Sequence, residues 1–296
     1  MSITIKTPKE FSYNTCYRFL DRSDKECLHV ANAGEVYKLL SINEKRLLIK
    51  IEDGGDVIHL KCLNKKPTDV EKNEIKNYVS EWWGLADDLE PFYQFCNKDP
   101  MLKKLVKDAR GLRLIGFPGL FECIVWAIIG QQINLNFAYI IKQRFVEKYG
   151  TAVDYEGQQF FLFPDATTVS QLTIEELKEL KFSRQKATYT LNVANAILNE
   201  GLNKEGLLEM GYEAAKKRMI EIKGVGHWTA DYVLMKCVRY PNAIPLGDVG
   251  LHNALKSALD LEAKPSKEML EKFNNSWQNY NSYICFYLWF SLIAQN

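Results

Sequence analysis

Residues 220–228 read Ile220-Glu-Ile-Lys-Gly-Val-Gly-His-Trp228, and twenty residues after Trp228 the chain reaches Pro245-Leu-Gly-Asp248. The Gly224-Val225-Gly226 core lies between two helical patterns and makes a turn. Its missing side chains leave backbone N–H groups bare, a surface suited to a phosphate. Asp248 follows soon after the helix that this turn opens. A single carboxylate is thereby held at a fixed distance from a clamped nucleic-acid backbone. The same aspartate is also a good N-cap for a helix beginning near Val249, and the two roles can coexist.

Outward from this segment, nearly everything after Asp99-Pro100 reads as helix. Phe121 to Gln132 is apolar almost all round, as expected of a helix in the middle of a bundle. Asn134 can cap the next helix, with Phe137, Ile140, Ile141 and Phe145 on one face and an end at Tyr149-Gly150. Phe163-Pro164-Asp165 starts a new turn, and Thr173 with Glu176 forms a capping box. Arg184 to Leu198 is a long amphipathic segment, and the last helix is predicted from about Asn281 to Ala294. Before residue 67 the texture differs. Glu35 to Ile42, Lys45 to Glu52 and Asp56 to Cys62 are short β-branched segments, two of them joined by Asp53-Gly54-Gly55, and predict an antiparallel sheet. Thr68 and Glu71 then open a helix through Trp83 that Gly84 stops. The fold class is mainly α with an N-terminal α/β domain.

The 296 residues are 47% apolar and 25% charged, an ordinary globular composition. No apolar run is long enough to span a bilayer, and MSITIKTPKEF lacks a signal-peptide core, so an intracellular protein without a membrane partner is expected. The seven cysteines contain no C-x-x-C pair. That spacing argues against a zinc ribbon or an iron–sulfur loop and predicts reduced, mostly structural thiols. A net charge of +1 is low for a nucleic-acid binder. Two basic islands stand out, Lys181 to Lys186 and Lys216-Lys217-Arg218 with Lys223, the second leading into the glycine turn.

From Gly111-Leu-Arg-Leu-Ile-Gly116 to the C-terminus, about two-thirds of the chain resembles the helix-hairpin-helix DNA glycosylase superfamily, and within it the 3-methyladenine DNA glycosylase II branch. Phe121 to Gln132, Lys181 to Leu198, Ile222 to Tyr232, Pro245 to Leu251 and Ser282 to Trp289 carry the match. The resemblance implies three units, residues 1–86, 113–238 with the hairpin, and 87–112 with 239–296 completing a cleft. It implies a monomer in the cytoplasm, on a bacterial nucleoid, or in a nucleus, acting on duplex DNA that contains damaged bases.

Asp248 matches the family's catalytic aspartate, which stabilises positive charge on the sugar as the N-glycosidic bond breaks. Bifunctional members place a lysine two residues after the second hairpin glycine to attack C1′; here Trp228 stands there, so hydrolysis without strand cleavage is implied. Trp228, Tyr232 and Trp289 match positions that wall the base pocket, where electron-rich rings attract a cationic alkylated purine such as 3-methyladenine or 7-methylguanine. Lys223, Gly224, Val225, Gly226, His227 and Thr229 match the DNA-binding hairpin. Carbonyls of Ile220, Ile222 and Val225 match a K⁺ or Na⁺ site, with no other cofactor required. Gln132, or alternatively Ile133, occupies the place of the wedge that fills the gap left by a flipped base. An oxidised- or deaminated-base glycosylase of the same fold, and a non-catalytic DNA-binding module, remain open.

Overall fold

The computed structural model describes residues 3–293, so Met1, Ser2 and the predicted helix end at Ala294 lie outside the described residues. The elements run β1 (Ile3–Lys6), α1 (Tyr13–Leu20), β2 (Val30–Asn32), β3 (Glu35–Ile42), β4 (Lys45–Asp53), β5 (Val57–Cys62), α2 (Asp69–Trp83), α3 (Glu90–Cys96), α4 (Pro100–Asp108), α5 (Leu120–Gly130) and α6 (Leu135–Tyr149). A hairpin, β6 (Thr151–Tyr155) and β7 (Gln158–Leu162), precedes α7 (Ala166–Ser170), α8 (Ile174–Glu179), α9 (Arg184–Asn199), α10 (Lys204–Glu209), α11 (Tyr212–Ile220) and α12 (His227–Val233). A π-helical turn (Leu234–Val238) then leads to α13 (Val249–Ala258), α14 (Lys267–Trp277) and α15 (Asn281–Ile293).

The N-terminal sheet is antiparallel throughout, in the order β1-β5-β4-β3-β2. Its outermost strands, β1 and β2, are too short for alternation to mark them in sequence. In β4, Leu47, Leu48 and Ile49 are all buried, which a sheet with one wet face would not allow. Leu47 and Ile49 join the main core, whereas Leu48 and its cross-strand partner Leu39 pack on Phe160 of β7. The β6–β7 hairpin thus covers the second face of the sheet, with the Tyr37 and Phe160 rings 6.2 Å apart. This hairpin corrects the all-helical expectation after Asp99. Its strands alternate weakly, and its turn is closed by Glu156 and Gly157, both at positive φ.

Helix α2 opens on the Thr68–Glu71 capping box and ends on Gly84 in the left-handed region at φ 62°. A side chain at Gly84 would overlap the Arg239 guanidinium, which is ion-paired with Asp87 at 2.6 Å. Gly116 donates its N–H to the Trp82 carbonyl, and Phe117 donates to Lys236 O. These bonds sew the end of α2 to the π turn and so join the sheet domain to the bundle.

Helix α5 is buried on all sides because two cores meet along it. Cys123, Ile124 and Ile128 face the main core, while Val125 and Ile129 face the core of α6 to α9. On α6 Ile141 and Phe145 are buried as expected, joined by Ala138, Tyr139, Lys142 and Val146, whereas Ile140 is half-buried and Phe137 is 38% exposed. A lysine takes an inward position because Glu26 neutralises it at 2.6 Å.

Candidate active site

The glycine turn joins α11 to α12 as expected. Gly224 sits at φ +109°, and a Cβ there would lie 2.2 Å from Cγ of Tyr189 on α9. Glycine is therefore required twice, by backbone conformation and by the close approach of an aromatic ring. Asn192 Nδ2 donates to Lys223 O at 3.1 Å, and Gln131 Nε2 donates both to Gly224 O and to Thr229 Oγ1, each at 3.0 Å. Gln131, the first residue past α5, thus clips the hairpin to the 130–134 loop. The Gln-Gln pair in the sequence was a signal for that loop, but only Gln132 was singled out from it.

Two of the six expected hairpin residues take different positions. Thr229 is 1% exposed and its hydroxyl is taken by Gln131, so its side chain braces the turn from within. Val225 is buried, and its N–H donates to Ile222 O at 2.9 Å, which removes it as a phosphate donor. Lys223, Gly226 and His227 are exposed at the start of α12. Part of the basic islands is paired internally, while Lys181 and Lys223 are exposed. Lys216 pairs with Asp231 at 2.9 Å, Arg218 lies near Glu200 and Glu221, and Arg184 pairs with Glu175. Lys186 donates to the Ile129 carbonyl, while Lys217 remains exposed.

Gln132 is exposed at φ +55°, at the apex of the loop between α5 and α6, and Ile133 beside it is half-buried. Both line a cleft against Gly224 to Gly226, and Ile133 also lines a deeper cavity. The loop therefore stands between the hairpin and that cavity. Leu135 and Val249, 57% and 58% exposed, rim the same cavity and were not anticipated, since isolated surface apolar residues carry no periodic signal.

The cavity measures about 650 Å³ and brings together Asp248, Trp228, Tyr232 and Trp289. Asp248 is the N-cap of α13, its Oδ1 accepting from Leu251 N–H at 2.8 Å. Trp289 Nε1 donates to Oδ1 at 2.8 Å, and Trp228 Nε1 donates to Oδ2 at 3.1 Å. The Trp228 and Tyr232 rings stack at 5.6 Å, and Tyr232 and Trp289 lie 5.9 Å apart. The four residues form one unit, in which two indoles orient the carboxylate while their rings and Tyr232 face the same space. Trp126, one of the α5 residues, donates from Nε1 to the Tyr232 hydroxyl at 3.1 Å and fixes that ring.

The sheet domain closes the inner end of the cavity with Lys38, Tyr78 and Trp82. Burial alone would raise the Glu26 carboxyl, but Lys142 and the Leu28 N–H hold it well below the usual range. Burial pushes His29 down to about 4, so that imidazole is neutral near pH 7. Burial lowers the Lys38 ammonium and raises the Glu122 carboxyl. The seven cysteines are free thiols, and among the described residues no group of three or more His, Cys, Asp and Glu side chains gathers as a metal site. No helix among them is long and apolar enough to cross a membrane.

The sequence profile of the HhH-GPD superfamily base excision DNA repair proteins matches residues 125–279, and that of the 8-oxoguanine DNA glycosylase N-terminal domain matches residues 3–124. The chain is 35% identical over 290 residues to a DNA-3-methyladenine glycosylase of Bacillus subtilis strain 168, an alignment covering 97% of this chain and 96% of that one. Its fold is similar to that of a 3-methyladenine DNA glycosylase from Archaeoglobus fulgidus, with a TM-score of 0.83 and 24% identity over 97% of both chains. It is also similar to the Clostridium acetobutylicum 8-oxoguanine glycosylase/lyase in complex with double-stranded DNA, with a TM-score of 0.78 and 19% identity over 99% of this chain and 98% of that one. With the superfamily profile across the hairpin and Asp248, and a relative aligned over nearly the whole length, the chain belongs to the HhH-GPD superfamily of base excision DNA repair proteins.

Proposed function

We propose that the protein is a monofunctional, monomeric DNA glycosylase that releases alkylated purines such as 3-methyladenine and 7-methylguanine from duplex DNA. The observation that carries this reading is the aromatic unit around Asp248, because it sets ring faces suited to a cationic base beside one oriented carboxylate. The alkylated nucleotide leaves the stack, its phosphodiester held by the N–H groups at the start of α12, and its base enters the cavity. Gln132 or Ile133 fills the vacated space. As the N-glycosidic bond breaks, its electron pair departs with the base and cancels the base's positive charge. Asp248 stabilises the cationic sugar left behind. A water oxygen then bonds to C1′ and its proton passes to the carboxylate or to solvent, giving an abasic site.

The carbonyls of Ile220, Ile222 and Val225 are neutral oxygen donors suited to K⁺ or Na⁺, and Ile222 O keeps a lone pair after accepting the Val225 N–H. Bound there, the ion would supply positive charge behind the phosphate.

The match to an 8-oxoguanine glycosylase N-terminal domain favours a second reading, an oxidised-purine enzyme. The bifunctional chemistry of that class needs an amine at C1′, and Trp228 supplies none. On methylated duplex DNA, base release should leave the strand intact until alkali or heat is applied. Borohydride added during turnover should trap no protein–DNA adduct. Efficient trapping, or prompt nicking at neutral pH, would show that an amine of this protein attacks C1′.

A further inference from the structure

Three carboxylates line the cavity. Glu26 accepts three hydrogen bonds on Oε1, from Lys142 and from the N–H groups of Cys27 and Leu28. Asp248 accepts from Trp289 and the Leu251 N–H on Oδ1 and from Trp228 on Oδ2. Glu122 accepts no hydrogen bond among the described residues. It lies on the same face of α5 as Trp126 and Gly130, each four residues apart, and all three line the cavity. Since Gly130 adjoins the loop facing the hairpin, Glu122 stands about 12 Å further in along the helix. Lys38 of β3 is its leading electrostatic partner. The Lys38 ammonium donates to Leu28 O at 3.2 Å and lies 4.8 Å over the Trp82 ring, leaving N–H donors for a ligand.

We propose that Glu122 is a specificity-determining residue whose carboxylate accepts from the adjacent N1–H and N2–H donors of a flipped 7-methylguanine, with the Lys38 ammonium donating to O6. This rests on the glycosylase reading above. A carboxylate offers acceptors only, which matches two neighbouring donors, and the Lys38 ammonium lining the same cavity matches the neighbouring carbonyl. Burial without donors raises the Glu122 carboxyl, whereas two donors from a cationic base favour its ionised form. The assignment also gives the sheet domain a part in reading the base, because Lys38 reaches the cavity from β3.

The test is single-turnover release of both bases from one methylated duplex by wild type, Glu122→Gln and Glu122→Ala, alongside affinity for abasic DNA. A glutamine pairs one acceptor with one donor, the pattern that suits an adenine edge. Glu122→Gln should slow 7-methylguanine release about tenfold or more while leaving 3-methyladenine release within about threefold. Glu122→Ala should also impair 7-methylguanine release more than 3-methyladenine release. Both variants should keep abasic-DNA affinity, since no base is then in the cavity, and a thermal melt of each checks that it is folded at the assay temperature. Equal slowing of both bases, no slowing of either, or a parallel loss of abasic-DNA affinity would overturn the role of Glu122. A wild type that releases neither base would overturn the glycosylase reading itself and the proposal with it.

Discussion

Asp248→Asn is expected to slow base release by on the order of 10²–10³-fold while DNA affinity stays close to wild type. The amide is isosteric, so what disappears is the negative charge facing the sugar. Asparagine also keeps the cap. Its Oδ1 can accept the Leu251 N–H and Trp289 Nε1–H, both of which now bond Oδ1 of Asp248. Its Nδ2 would then face Trp228 Nε1, donor against donor, in place of a 3.1 Å bond. That mismatch is expected to cost about 1 kcal/mol of stability, a small shift in melting temperature beside a large loss of rate. Single-turnover kinetics and a thermal melt on the same preparation separate the two effects. Near-normal turnover would remove Asp248 from the chemistry.

Gly224→Ala is expected to have the second largest effect, through the shape of the hairpin. The new methyl would meet Cβ, Cγ and Cδ1 of Tyr189 within 2.5 Å, atoms near the root of that side chain that cannot swing aside. The φ of +109° adds backbone strain. Together these should cost about 2 kcal/mol or more and weaken binding to abasic and undamaged DNA alike. Gly226→Ala is the control. Gly226 has extended backbone with nothing within 4 Å of a built Cβ, so the fold should hold. Any loss of affinity, roughly tenfold, would then report a methyl group between the hairpin and a phosphate. Titrations with abasic and undamaged duplexes at one salt concentration measure both variants. Wild-type affinity in Gly224→Ala would remove the hairpin from the interface.

The hairpin, the Asp248 cap and the two capping boxes were legible because each depends on local chemistry. A glycine pair, an Asp at a helix start and a Thr three residues before Glu need no distant partner to be read. The β6–β7 hairpin was not legible in this way, since Phe160 has meaning only against Leu39 and Leu48 of a sheet far away in sequence. Thr229 and Val225 matched the hairpin motif, yet the fold turned them inward to Gln131 and Ile222. The basic islands were legible only in part: Lys181, Lys217 and Lys223 are exposed, whereas Lys216 and Arg184 look free in sequence because Asp231 and Glu175 are brought to them only by packing. The aromatic set was named by resemblance. Its hydrogen bonds to Asp248, and the contributions of Glu122 and Lys38 to the cavity, emerge only when α5 and the sheet meet.

The most direct measurement incubates the full chain with methylated duplex DNA and identifies the released bases by chromatography and mass, against a no-protein control for spontaneous loss. The account predicts 3-methyladenine and 7-methylguanine well above that control and no release of unmodified purines. Release indistinguishable from the control, by a folded protein that binds the same duplex, would contradict it.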